Sequence, residues 1–501
     1  MVLDGLLSIL TLKNLLYIAL ATTAGLMVGA LPGLTATMAV ALLVPITFTM
    51  GPISGLAVLG AIYMSAIYGG CFSAILINTP GTPGSIATAF DGYPMARKGE
   101  GAKAIFSATY ASMFGGLASL FVLFFLSPPL AKIALKFGPP EYFWLALFGL
   151  TVMSSLGETS TIKTFMSGGI GLILSCIGVT RMAGELRFGF GWYELQGGVE
   201  LIAALIGLFC IPEALNFMGI MGSSIYKIEK VEKRKGVWFS YLSEFWGTRL
   251  ILIRSTIIGI IIGILPGAGG TVANVVAYND AKTYSRRTGF GTGIMEGIVA
   301  PESANNATVG AGLIPTLTLG VPGTPVDAVI LGALMLHSLQ PGSQLFLKSG
   351  VIVYSFMWAL VISTLMMGII GLSIGVITYK GVSKTPTRYL APTIIFLSII
   401  GSYALRNSMT DVWMMLTIGF IGYGFKLLGM STSAAVLGLV LGQIAEEGLV
   451  QASLLSQASS YFQVFFFRPI SAIIIVLAIL TLLWPVIAKF LERKKGKRGL
   501  P

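Results

Sequence analysis

Two identical tetrapeptides, PGTP at 80–83 and again at 322–325, sit inside apolar stretches that otherwise have the composition of membrane spans. Pro removes a main-chain donor and clashes one turn back, and Gly turns the chain without steric cost, so each tetrapeptide breaks a helix in two. Broken ends carry chemistry. The N–H groups that open the following helix, with the positive end of its dipole, favour an anion, and the carbonyls that close the preceding helix can coordinate a cation. The candidate residues at the first break are Asn78, Thr79, Pro80, Gly81, Thr82 and Ser85, and at the second Pro322, Gly323, Thr324 and Asp327. Their hydroxyls suit both helix capping and the ligation of an ion or substrate. The plainer alternative is that each motif only kinks a packed helix.

A second kind of break lies upstream of each. GALPGLTAT (29–37) and GILPGAGGT (263–271) share Gly, Leu, Pro, Gly and the final Thr, which adds Thr35, Thr37, Gly267 and Thr271 to the candidate site. YGGCFSAILINTPGTP (68–83) likewise lies over GAGLIPTLTLGVPGTP (310–325). The two matches keep their order and nearly their spacing, so the fold is a duplication. Repeats interrupted at corresponding places point to a transporter's midplane site. Seven apolar segments run from 14–31 to 249–265; an odd number of crossings would make the halves antiparallel, an inverted repeat.

Between the motifs of the second half, APESANNATVGAG (300–312) crowds Glu302, Ser303, Asn305, Asn306 and Thr308 together. Asn305 and Asn306 offer neutral donors and acceptors to a carboxylate or to a partly dehydrated Na⁺. The alternative is a solvated loop. Asp327, two positions beyond PGTP, suits a first-turn cap and equally proton or Na⁺ coupling. His337, the single histidine, reads as structural, with gating left open by its titration near neutral pH. Arg97, Lys98 and Lys103, with Asp91, fall in a segment expected to line a cytoplasmic re-entrant end.

The elements that must position these residues are membrane helices. Of 501 residues 55% are hydrophobic and 10% charged, and the mean hydropathy of +0.87 belongs to an integral membrane protein. The 63 glycines, about an eighth of the chain against a usual 7%, permit close helix approach. The expected fold is an all-α polytopic membrane protein with about 10 to 12 crossings plus re-entrant or broken helices. Its parts are a first repeat half at 1–223, an amphipathic interdomain arm at 224–248, a second half at 249–490 and a basic tail at 491–501. The net charge of +12 comes from short basic connectors of the positive-inside kind and does not indicate nucleic-acid binding. Cys71, Cys176 and Cys210 lack metal or redox spacing and read as packing residues. The opening segment lacks a basic leader and cleavage site and is expected to be a first membrane segment.

ILINTPGTPGSIATAFDGYPMARKGEGAKA (75–104), GILPGAGGTVANVVAYNDAK (263–282), GIVAPESANNATVGAGLIPTLTLGVPGT (297–324) and ALMLHSLQPG (333–342) closely resemble the large permease subunit of the tripartite tricarboxylate transporters, the TctA family. The resemblance runs over most of the chain, including EYFWLALFGLTV (141–152) and LRFGFG (186–191); QPGSQLF (340–346) departs where the family more often reads QPGP. It implies a bacterial inner-membrane permease working with a small membrane subunit (TctB-like) and a periplasmic solute-binding protein (TctC-like). These would deliver an organic carboxylate for ion-driven uptake.

The function expected is therefore a secondary active transporter subunit, not an enzyme, with no cofactor beyond a coupling ion. Membrane carboxylates are few and hydroxyls, amides and carbonyls many, which favours Na⁺ over H⁺. The rival class, an intramembrane protease or lipid-modifying enzyme, needs a Ser–His pair, an aspartate dyad or an HExxH-like motif, and the sequence offers none. A channel is a third reading.

Overall fold

The computed structural model describes residues 1–156, 160–180, 184–219, 238–267, 269–285, 287–373, 389–457 and 460–496. It is helical almost throughout; the strands described are a two-residue pair, Gly178–Val179 against Leu186–Arg187. The first half contains α1 (Val2–Ile9), α2 (Leu12–Ala30), α3 (Ala36–Phe48), α4 (Pro52–Ile77), a 3-10 turn (Pro83–Ser85), α5 (Ile86–Arg97), α6 (Gly101–Ala134), α7 (Pro139–Leu156), α8 (Thr161–Ser175) and α9 (Leu201–Gly219). After α10 (Trp238–Trp246) come α11 (Arg249–Ile264), α12 (Gly269–Tyr284), α13 (Glu296–Leu319), α14 (Pro325–Leu336), α15 (Ser343–Lys348) and α16 (Gly350–Ser373). The chain then runs through α17 (Leu390–Arg406), α18 (Met409–Leu427), α19 (Thr432–Ser456), α20 (Tyr461–Phe466) and α21 (Pro469–Gly496).

Six of the described helices are long and apolar enough to cross a membrane, and four shorter apolar helices accompany them. Large side chains such as Leu20, Phe121, Phe125, Ile261, Ile369 and Phe420 are exposed. Such a surface is a liability in water and the normal lining of a bilayer-facing helix.

The duplication is written into the packing. In the first half α2 lies along α4, with Gly25 against Ile62 and Gly29 against Ala66. In the second half α11 lies along α13, with Gly259 against Ala304 and Gly263 against Thr308. A Cβ at any of these glycines would run into the partner's backbone, so the seam exists because the residues are small. Each half then reaches across to the other. Helix α3 packs on α14, and α12 packs on the 3-10 turn and α5.

One expectation is corrected here. Residues 300–312 are neither a loop nor the lead-in to a half-helix; they form the interior of α13, a continuous 24-residue helix. Their polar side chains are buried because neighbouring helices answer them. Thr88 Oγ1 and Ser112 Oγ donate to Glu302 at 2.5 and 2.9 Å, and Gly115 and Gly310 let α6 and α13 meet at backbone distance.

The apolar run at 326–347 also divides, α14 ending at Leu336 before a turn with Ser338 at positive φ. Of the interdomain arm, 224–237 lies outside the described residues. Its remainder includes α10, whose Phe245 is buried against Phe106 and Tyr110 and whose Trp246 is exposed. Lys103 and Glu244 pair at 2.8 Å between this helix and α6. Of the basic tail, 497–501 lies outside the described residues.

Candidate functional site

The upstream breaks are built alike. Helices α2 and α11 end in extended residues, Leu31 (φ −85°, ψ 116°) and Leu265 (φ −78°, ψ 120°). Each is followed by Pro and by a glycine at positive φ, Gly33 at 90° and Gly267 at 85°. The downstream breaks match as well. Helix α4 is capped by Asn78 at φ 55° and α13 by Gly320 at φ 72°, both left-handed. Asn is among the few side-chain-bearing residues that tolerate that conformation readily. Past the caps, Gly81 packs on Gly29 and Gly70, and Gly323 packs on Gly263 and Gly312, so the same two contacts recur at repeat-related positions.

Beyond each break a helix restarts, and the restarts converge. A cavity of about 400 Å³ is lined by the first turns of α3 (Thr35, Ala36, Thr37), α12 (Gly269, Gly270, Thr271) and α14 (Thr324, Pro325, Val326). It is also lined by Thr82, Pro83 and Gly84 of the 3-10 turn that opens α5. Three restarts carry Thr at the cap position or beside it, and two of these Thr side chains close a cap. Thr35 Oγ1 accepts from Met38 N at 3.1 Å and Thr324 Oγ1 from Asp327 N at 3.2 Å. Each helix start contributes unsatisfied N–H groups and about half a unit of positive charge. Together they favour an anion, and the one cationic side chain lining the chamber among the described residues, Lys426, is paired at 2.9 Å with Glu213, which also lines it.

Asn305 is the centre of the site. It projects from the middle of α13, is fully buried, and lies against Gly84 of the first half's break and Gly270 of α12, where a Cβ on either would overlap its Oδ1. Neither its Nδ2 nor its Oδ1 has a hydrogen-bond partner. A buried, unanswered amide costs roughly 1–3 kcal/mol per group, so a polar partner offered to it from the cavity would be favourable. On the opposite wall Tyr63 Oη meets Thr324 Oγ1 at 3.1 Å, and Thr324 Oγ1 donates to Asp327 Oδ2 at 2.8 Å. The chamber can hold a carboxylate by N–H groups, hydroxyls and one amide.

Of the residues singled out in the sequence, Thr35, Thr37, Thr82, Gly267, Thr271, Asn305, Thr308 and Thr324 line the cavity. Asn78, Thr79, Pro80, Gly81, Pro322 and Gly323 form the hinges that aim the helix ends. Ser85 lies within 3.4 Å of Thr82, and Asp327 is held behind Thr324. Ser303 turns to α6 and donates to Ala300 O, while Asn306 Nδ2 reaches Met64 O at 3.4 Å and leaves its Oδ1 without a partner. His337 caps α14 beside Phe48 and Gly55, away from the cavity.

The segment at 91–104 is a tie between the halves. Asp91 accepts from the backbone N–H groups of Gly291, Gly293 and Ile294 and from Tyr278 Oη, and Lys98 Nζ donates to Thr292 O. Sequence reasoning missed Tyr63, and also Ser431, Thr432 and Ser433, which bring a fifth helix start, that of α19, to the cavity. Tyr63 was detectable, because the alignment that joins the two PGTP motifs places it over Asn305.

A multi-pass helical membrane protein with duplicated broken helices meeting at a central polar chamber is a transporter architecture. The chain belongs to the tripartite tricarboxylate transporter TctA family, whose model matches residues 15–437. It is 37% identical over 469 residues, 92% of this chain and 91% of the relative, to the "Uncharacterized 52.8 kDa protein in TAR-I ttuC' 3'region" of Agrobacterium vitis. A second relative from that organism, "Uncharacterized protein in TAR-II ttuC' 3'region", is 35% identical over 246 residues, 48% of this chain and 97% of the relative. No solved structure matches the chain.

Proposed function

We propose that the chain is the large permease subunit of a binding-protein-dependent secondary transporter of the bacterial inner membrane. It takes up organic tri- or dicarboxylates together with Na⁺, in company with a TctB-like small membrane subunit and a TctC-like periplasmic binding protein. The observation that carries this reading is the chamber itself, where four broken-helix starts surround an unpartnered, fully buried Asn305. Family membership supports the transporter class. Carboxylate oxygens would take the N–H groups, threonine hydroxyls and the Asn305 amide, leaving a preceding helix's carbonyls to a cation.

Access would alternate by movement of one bundle against another around the chamber, with Gly33, Gly267, Gly320 and Asn78 as the joints. The enzyme reading finds no support, for His337 lies beside Phe48 and Gly55 rather than in a nucleophile's reach.

The test is uptake of labelled carboxylates into proteoliposomes holding this chain and the small subunit. Saturable uptake that needs both the binding protein and an inward Na⁺ gradient is the expected result. Uptake linear in substrate and indifferent to the binding protein would indicate a channel, and uptake driven by a pH gradient without Na⁺ would replace Na⁺ by H⁺.

A further inference from the structure

The chamber has two unlike walls. One is made of the broken-helix starts and Asn305; the other is made of α9, the end of α18 and the start of α19. The second wall is apolar at Leu208, Phe209, Pro212 and Met430. It also carries Glu213 and Lys426, the charged side chains that line the chamber among the described residues. A carboxylate there repels the anion that the helix starts favour, and Lys426 cancels it. Lys426 Nζ lies 2.9 Å from each of the two Glu213 oxygens.

The frame around this pair is rigid. Helices α9 and α18 pack along their length and meet at Gly207, Gly419 and Gly422. A Cβ on these glycines would lie 2.5 Å from Met415 O, 2.6 Å from Ile211 Cβ and 3.0 Å from Pro212 Cγ. Lys426 follows one turn later, in the last turn of α18, where the negative end of the helix dipole favours a cation. An ammonium has three N–H donors. Glu213 has two oxygens to offer them, so one donor is left over, and 37% of the Lys426 side chain is open.

We propose that Lys426 reads a second carboxylate of the substrate, with Glu213 as the residue that positions it. One carboxylate of an organic acid meets the helix starts and Asn305, and the carbon chain lies along the apolar second wall. The far carboxylate takes the remaining Lys426 N–H in a charge-assisted bond. All these groups face one cavity of about 400 Å³, a size suited to a small molecule. A monocarboxylate leaves the Lys426 donor unused. The chamber therefore selects acids with two or more carboxylates, and the neutral pair does so without adding net charge to the empty site.

This inference deepens the transport reading of the chamber and rests on it. Its test is a set of thermal melts of the purified full chain, titrated with succinate or with butyrate, which has the same carbon count and one carboxylate, at constant Na⁺. Saturable stabilisation by both is expected, with half-saturation by succinate at a concentration at least about tenfold lower. The double variant Glu213→Gln/Lys426→Gln keeps the net charge. It should raise the succinate value at least about tenfold and move that of butyrate by less than about threefold. Glu213→Gln alone keeps the ammonium and should keep the preference. Should the double variant not fold, Lys426→Gln decides through the ratio of the two half-saturations, which should fall toward one. Equal response of the wild-type chain to both acids, or a preference that survives in the folded variant lacking Lys426, overturns the assignment and leaves the chamber a carboxylate site. Stabilisation by neither acid would sink the carboxylate reading of the chamber, and this assignment with it.

Discussion

The two halves share a skeleton and divide the chemistry. Helix α4 carries Gly60, Ala61, Tyr63, Met64 and Ala66 where α13 carries Glu302, Ser303, Asn305, Asn306 and Thr308, yet both run into a left-handed cap and a PGTP break at the same place. The glycine seam, the caps and the hinge glycines are geometric and are kept twice. The Asn305 and Asn306 amides and the Glu302 and Asp327 carboxylates have no counterpart in the first half, where Tyr63, Met64, Gly60 and Ser85 stand. Where equivalent positions meet, as Met64 and Asn306 do at 3.4 Å, an apolar residue from one half answers a polar one from the other. Duplication supplied four converging helix ends, and divergence on one copy supplied the buried Asn305 beside them.

Breaking the symmetry at its centre should have the largest effect. Asn305→Ala removes the unpartnered amide and is expected to lower carboxylate uptake, measured as initial rates per reconstituted chain, by about 10- to 100-fold. Tyr63→Phe at the repeat-related position should cost no more than about threefold, and equal losses would refute the division. The shared frame is probed by Gly81→Ala and Gly323→Ala. Each forces a methyl onto backbone of its own half and should destabilise the chain similarly, by about 1–3 kcal/mol in detergent melts; a large inequality would show that only one break is structural.

Smaller effects separate the caps. Thr324→Ala loses a bond to Asp327 N, whereas Thr82 makes no such cap, so the first should cost about 1 kcal/mol and the second clearly less. Exchanging the left-handed caps, Asn78→Gly and Gly320→Asn, should change stability by under about 1 kcal/mol. Asn78→Val should cost about 1–2 kcal/mol, since a β-branched residue resists that conformation.

The breaks were legible because Pro and Gly act on their own turn of chain, and the duplication because it preserved those residues. Five of the residues that line the cavity, Thr35, Thr37, Thr82, Thr271 and Thr324, were legible for the same reason: Thr at or near the head of a helix is a local signal. That residues 300–312 form a buried helix, where a solvated loop was the alternative reading, was not legible because their polarity is local and its satisfaction is not. The hydroxyls that answer Glu302 come from positions 214 and 190 residues away. Nothing near Glu302 announces them. The start of α19 was missed because its break carries a single glycine, Gly429, and no Pro, and lies outside the duplicated motifs, leaving Ser431, Thr432 and Ser433 as an ordinary capping signal ahead of an apolar run. Tyr63 drew no notice by itself, because an aromatic ring is ordinary in an apolar span, and only its alignment with Asn305 could have marked it.

The crossed packing of α3 on α14, and of α12 on the 3-10 turn and α5, has a consequence for biosynthesis. Thr82 and its break leave the ribosome 242 residues before Thr324, and at 5–20 residues per second the interval is about 10 to 50 s. During that time the first half sits in the bilayer with its broken helices unpaired and their polar ends without the surface that will cover them. A half-finished transporter of this kind is a client for whatever shields polar backbone in the membrane, until its own second half arrives to do so.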